Sequence, residues 1–353
     1  SAMAVASRQT LPPKIADLPV SLDPAQRAGL ERARAVALAR EQFELDASAD
    51  DVEVDAAPFG VTVHSSTRAV VVVSSDDLAV LGGVLVWRQR HPDVDVDVVV
   101  EHHAGTHARR VDMVAPEMTV WSLGSQGAPS VLAVTPDVLP EPHPTTPGTA
   151  SIVAMIKRCG ASIVVEDGIV RAEVMGLEVG RVVESASGPT LEVGGGRFDR
   201  EAGVLLHAGR DIEEILADVI GRVAKHRQEG VPAHAINRLA RERWLREVIL
   251  NDPGLARISA ASLVEPIPPR SNLLDACPAA LFGKDGEADV LVVCTVGADL
   301  GVVPAVADLI MRHRPDLVRI VLPQRDVLPH LQQLVTRLGV PTELLGIDPP
   351  WQN

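Results

Sequence analysis

The chain's 353 residues suggest two or three domains, and a hydrophobic content of 46% is ample for real cores. Aromatic residues make up only 2%, with no tyrosine, which argues against a single-strand-binding module built on aromatic stacking. Acidic residues outnumber basic ones by 47 to 33, a net charge of −14, whereas a sequence-independent nucleic-acid binder is usually basic; only a local basic patch works against that exclusion.

Residues 1–22 contain prolines and no hydrophobic period, so they read as a flexible arm. Asp23-Pro24 then opens a helix to about Leu45, because Asp caps and Pro suits the first turn. Leu30, Ala33, Ala37 and Leu38 fall on one face of it. Strands are expected near 52–56 and 60–64. The apolar run Val70 to Val73 reads as a strand buried on both faces, followed by a helix over about 77–90 and a strand from Asp95 to Val100.

Residues 69–122 and 289–345 repeat one pattern. Each has a valine-rich run, a small polar turn, Asp-Leu, a helical stretch and a basic-Pro-Asp turn (His91-Pro92-Asp93; Arg314-Pro315-Asp316). A second apolar run, a second helical stretch and a last short run follow. Between the copies, prolines crowd residues 136–149 and 263–284, which read as linkers. The segment 150–262 predicts a helix at 150–159 and strands at 161–166, 169–175, 177–184 and 190–194, then helices at 199–207, 211–228 and 234–250. A three-strand unit standing alone exposes a sheet edge, so pairing of the copies is the favoured arrangement over three separate beads. The expected fold is therefore α/β: a Rossmann-like parallel sheet built from two repeated βαβαβ halves. Residues 23–135 and 285–347 form one discontinuous domain in that reading, and 150–262 is an inserted α+β domain.

Ligands of open parallel sheets bind beyond the carboxyl ends of the strands, where strand order reverses. Those ends carry Ser74, Ser75 and Asp76 in one copy, and Thr295, Gly297 and Asp299 in the other. They are the candidate binding residues for a small anion, although helix capping accounts for the same residue types. No GxGxxG or GxxxxGK[ST] sequence is present to name a cofactor. Glu101-His102-His103 with His107 places two histidines at i, i+4, near Glu101 and Asp112, but the spacing is looser than that of a helical zinc site. Gly194-Gly195-Gly196-Arg197 can cradle phosphate or simply connect two elements. The run Lys225, Arg227, Arg238, Arg241, Arg243, Arg246 reads as the charged face of ordinary amphipathic helices.

The helix and hairpin strands over 150–207, with Glu166, Asp167, Glu173, Glu178, Glu192 and Asp199, loosely resemble a PD-(D/E)XK nuclease core. That resemblance implies metal ligation by Glu173 and Glu192. It breaks at the family's lysine, since Val193-Gly194 follows Glu192 and Val174-Met175 follows Glu173; exposed carboxylates on a solvated face are the simpler reading. The strings GLEVGRVV (176–183), LEVGGGRFDREA (191–202), NRLARERWLR (237–246) and EPIPPRSNLLDACPAA (265–280) resemble an actinobacterial family of hypothetical proteins, a resemblance that implies no activity and no site residues.

Cys159, Cys277 and Cys294 are scattered without metal-ligand spacing, which predicts reduced thiols in a cytoplasmic protein. No apolar stretch reaches membrane-spanning length, so no membrane partner is expected. The expected function is non-enzymatic, with a Rossmann-like site for a small anionic ligand, a nucleotide or a protein partner. The alternative is a metal-dependent nuclease-like enzyme acting through 150–207.

Overall fold

A computed structural model describes residues 23–124, 131–194, 210–270 and 277–351. The arm at 1–22, the helix expected at 199–207 and the residues Gly195, Gly196, Arg197 and Asp199 lie outside them. The described residues hold eight α-helices and three sheets, in two compact units divided between Val138 and Leu139. No described helix is long and apolar enough to cross a membrane.

In the first unit, helix α1 (Pro24–Phe43) begins as the sequence predicts. The Asp23 carboxylate accepts from the Gln26 amide at 2.8 Å and the Gln26 side chain accepts from the Asp23 amide, a complete capping box. Strands β1 (Glu53–Ala57), β2 (Gly60–His64) and β3 (Arg68–Val73) form an antiparallel meander. Helix α2 (Val80–Arg90), β4 (Asp95–Val100), α3 (Ala104–Val114) and β5 (Thr119–Leu123) add two parallel strands, and β6 (Val131–Ala133) closes the far edge antiparallel. Ala35, Leu38, Ala39 and Phe43 of α1 pack on Val61, Val63, Val70 and Val72.

The second unit contains two sheets. Helix α4 (Ala150–Arg158) precedes an antiparallel meander of β7 (Ser162–Glu166), β8 (Ile169–Val174), β9 (Leu177–Ser185) and β10 (Gly188–Val193). Helix α5 (Ile212–His226) lies on it, burying Ile156, Val170, Val179, Leu216 and Val223 together. Then come α6 (Arg241–Asn251), β11 (Ser259–Val264), β12 (Ala279–Asp285) and β13 (Ala288–Cys294). Helix α7 (Val302–His313), β14 (Leu317–Pro323), α8 (Pro329–Leu334) and β15 (Thr342–Ile347) complete the unit.

The expected single sheet is corrected by this topology. Among the described residues, the strands of the two copies lie in separate sheets, and 285–347 belongs to the same compact unit as the middle segment. The physical reason is that the edge of each copy is already occupied. β3 is covered by the antiparallel partner β2, and β13 by β12, so neither edge needs the other copy. The two sheets nevertheless share a topology. Strand orders β1-β2-β3-β4-β5 and β11-β12-β13-β14-β15 have the same directions, two antiparallel pairings followed by two parallel ones, each entered by a helix. Among the described residues of 263–284, Val264 of β11 faces Ala280 of β12, so both ends of that segment lie in one sheet.

Candidate functional site

At the strand ends of the first unit, the turn after β3 is tied to itself. Ser75 Oγ accepts from the Asp77 amide at 3.1 Å and Asp77 Oδ1 accepts from the Ala79 amide at 2.8 Å. These bonds push the start of α2 to Val80, leave Ser75 and Asp76 exposed and Ser74 half-buried, and match the capping explanation. Nearby sequence positions are more constrained. Arg34 of α1 donates to Glu101 just beyond β4, with both side chains buried. His107 is 2% exposed, and its pKa is lowered to about 4 by burial, then by the charges of Arg110 and His103. Among the described residues, the histidines at 102, 103 and 107 belong to no group of three candidate metal ligands.

The second unit does bring its three predicted residues together. Thr295, fully buried at the end of β13, donates from its hydroxyl to Asp299 Oδ2 at 2.8 Å. The Gly297 amide, presented at φ +80°, donates to Asp326 Oδ2 at 2.7 Å, closing the turn on the loop after β14. The first turn of α6 stands within electrostatic reach. Burial, reinforced by the charge of Asp299, raises the Glu242 carboxyl above its ordinary range. Burial, reinforced by the like charge of Arg325, lowers the Arg241 guanidinium below its ordinary range. Arg241 also lies over the Trp351 ring at 5.2 Å, and its Nε donates to the Asn237 carbonyl at 2.9 Å. Sequence reading missed Arg241, Glu242, Arg325 and Asp326 as one group because helix α6 reaches the strand ends only through tertiary packing.

The middle sheet revises the carboxylate reading. Glu166, Glu173 and Glu178 are not on a solvated face; all three are buried, together with Arg171, Arg243 and Arg246. Arg243 donates to both Glu166 and Glu173, Arg246 Nη2 to Glu173 Oε2 at 2.8 Å, and Arg171 Nη1 to Glu178 Oε2 at 2.6 Å. Both Glu173 oxygens therefore accept from guanidinium groups. Glu192 sits elsewhere, half-buried on β10 opposite Arg181 of β9. Glu173 and Glu192 share no group of three candidate metal ligands among the described residues. Arg227, from the basic run, is also interior. It donates to the carbonyls of Met175, Ile236 and Leu239 and lies over the Trp244 ring at 4.8 Å. The i, i+4 pairs that made this run look like an ordinary surface face concealed partners some 70 residues upstream.

All three cysteines are free; burial pushes the Cys277 thiol up to about 11 and raises Cys294 further. Comparison with family models, curated proteins and solved structures gives no match.

Proposed function

We propose that the protein is a non-enzymatic binding protein that takes a small anionic ligand at the carboxyl ends of β13 and β14. The observation that carries this reading is the turn after β13, where the Thr295 hydroxyl and the Gly297 amide are both drawn onto carboxylate oxygens, with the like charges of Arg241 and Arg325 acting on each other nearby. An anion bound at this turn relieves that repulsion, and the turn already displays the chemistry, with its amide and hydroxyl directed at carboxylates and Arg325 Nε 3.6 Å from Asp326 Oδ1. The parallel β13-α7-β14-α8-β15 segment supports a Rossmann-like description of this site, since ligands of such sheets sit beyond the strand ends. A phosphate- or carboxylate-bearing metabolite of nucleotide size is the expected class. Free thiols accord with a reducing, cytoplasmic setting. The nuclease alternative is the weaker reading, because Glu173 is engaged by Arg243 and Arg246.

Titration of the full chain with inorganic phosphate, nucleoside triphosphates and nicotinamide dinucleotides, followed by thermal shift, tests the reading. A raised midpoint that is lost in Arg325→Ala and in Arg241→Ala supports it. No shift with any anion, or an equal shift in both variants, overturns it. Cleavage of DNA or RNA in Mn²⁺ that disappears in Glu192→Ala would restore the nuclease reading.

A further inference from the structure

The hairpin β1–β2 carries a second, independent constellation. Its register pairs Glu53 with His64 and Asp55 with Thr62. Residues two apart on one strand, and those directly opposite them, share a face of the ladder. Val54, Val61 and Val63 accordingly point to the α1 core, and Glu53, Asp55, Thr62 and His64 take the other face. One ligand atom from each of Glu53, Asp55 and His64 lies within 4.8 Å of the other two, and His64 Nε2 is 3.1 Å from Asp55 Oδ2.

Three further observations set this group apart from a chance meeting of surface charges. First, the His64 ring is held in place. Its side chain is only 13% exposed, with Trp87 edge-on at 5.2 Å and His91 at 5.7 Å between ring centroids. Second, His91 stacks on Trp87 at 4.0 Å, and its Nδ1 lies 2.8 Å from the Trp87 carbonyl oxygen. A carbonyl only accepts, so Nδ1 bears the proton and Nε2 keeps a lone pair, the arrangement that orients imidazoles around metal centres. His64 and His91 line one cavity of about 400 Å³ with Glu53, Asp51, Asp93 and Arg90. Third, Thr62, on the same face, is fully buried and its hydroxyl has no hydrogen-bond partner among the described residues. A buried hydroxyl without a partner is costly.

We propose that Glu53, Asp55 and His64 hold one divalent first-row transition-metal ion, of the Zn²⁺ or Mn²⁺ kind, with its remaining positions open to solvent on the Asp55 side and to the cavity that Glu53 and His64 line. The mixed nitrogen and carboxylate set selects this class, because Mg²⁺ and Ca²⁺ favour all-oxygen shells. His91 is a positioning residue whose Nε2 accepts from water in an open position. The site rests on no part of the anion-binding reading of the second unit.

The test is calorimetric titration of the chelator-treated full chain with Zn²⁺, Mn²⁺ and Mg²⁺, and Co²⁺ absorption as a report on the ligands. The expected result is one transition-metal ion per chain, weakened by about tenfold or more in both His64→Ala and Asp55→Asn, with Mg²⁺ bound more weakly. Asp55 is 61% exposed, so its variant keeps the test open if the histidine variant fails to fold. No transition-metal binding, binding unchanged in Asp55→Asn, equal affinity for Mg²⁺, or a Co²⁺–thiolate band assigning the ion to cysteine would each overturn the proposal.

Discussion

Arg246 Nη2 donates to Glu173 Oε2 at 2.8 Å, and neither side chain is more than 1% exposed. This contact crosses the second unit. Glu173 belongs to the antiparallel β7–β10 sheet, and Arg246 to helix α6, whose other face packs Leu245 and Ile249 with Leu281, Val290 and Val292 of the β11–β15 sheet. The ion network therefore ties two sheets to one helix. A buried pair is close to neutral as a whole, but removing one partner strands a charge. Glu173→Ala or Arg246→Ala should lower the unfolding free energy by about 3–5 kcal/mol in urea titrations. The double apolar replacement, Glu173→Leu with Arg246→Met, should recover only part of that loss, because Arg243 loses Glu173 and keeps Glu166 alone; if the single variants lose under about 1 kcal/mol, the network is not the lock described.

The same carboxylate sets an acid limit. Burial alone would raise the Glu173 pKa, but Arg243, Arg246 and Arg270 outweigh it and hold the group below its ordinary 4.5. A depressed folded-state pKa means that the stabilisation is present above 4.5 and is lost as the pH falls through the folded value. Midpoints for urea unfolding should therefore decline below pH 4.5, and the decline should be shallower in Glu173→Gln, which carries no titrating group there.

His107 should act in a higher window. Its pKa falls from 6.5 in the unfolded chain to about 4 in the fold, so the unfolded chain takes up this proton first. Stability is full above pH 6.5 and declines toward pH 4, by about 3 kcal/mol across the interval. Hydrogen exchange of the α3 amides reports this locally. Exchange protection, corrected for intrinsic rates, should drop between pH 6.5 and 4 in the native chain and stay level in His107→Leu.

Gly176 lets the β8–β9 turn touch helix α6. It has φ +76°, and an added Cβ would stand 2.3 Å from the Arg243 carbonyl carbon and 2.6 Å from the Trp244 nitrogen. Gly176→Ala should lower stability by well over about 1 kcal/mol, because strain and a backbone clash add. Gly160→Ala is the control. Gly160 has φ +86° with nothing within 4 Å of the added carbon, so only the strain remains. Equal losses in thermal unfolding would remove the close approach from the account.

Much of the local structure was legible in the letters. Asp23-Pro24 opens α1, the valine runs are β3 and β13, and the Pro-Asp turns lead into β4 and β14. The four strands expected at 161–194 form, as one antiparallel sheet. These features are legible because capping, turn chemistry and side-chain period act over a few neighbouring residues. Of the candidate binding residues, Thr295, Gly297 and Asp299 share one turn, whereas Ser75 is committed to the loop that precedes α2.

Sheet membership and the burial of charge were decided by the tertiary structure. Whether β3 pairs with β2 or with the distant copy depends on which partner covers its edge, and the covering hairpins β1–β2 and β11–β12 correspond in topology rather than in letters. Glu166 finds Arg243 across 77 residues and Glu173 finds Arg246 across 73, so no window along the chain contains both partners. The face shared by Glu53, Asp55 and His64 follows from hairpin register, but His91 joins Glu53 and His64 at one cavity only through the β3-α2-β4 crossover. Periodicity determines which residues share a face; what covers that face, water or an arginine-bearing helix, is set by long-range packing, and that environment decides whether a carboxylate is a solvated charge, a metal ligand or part of an internal lock.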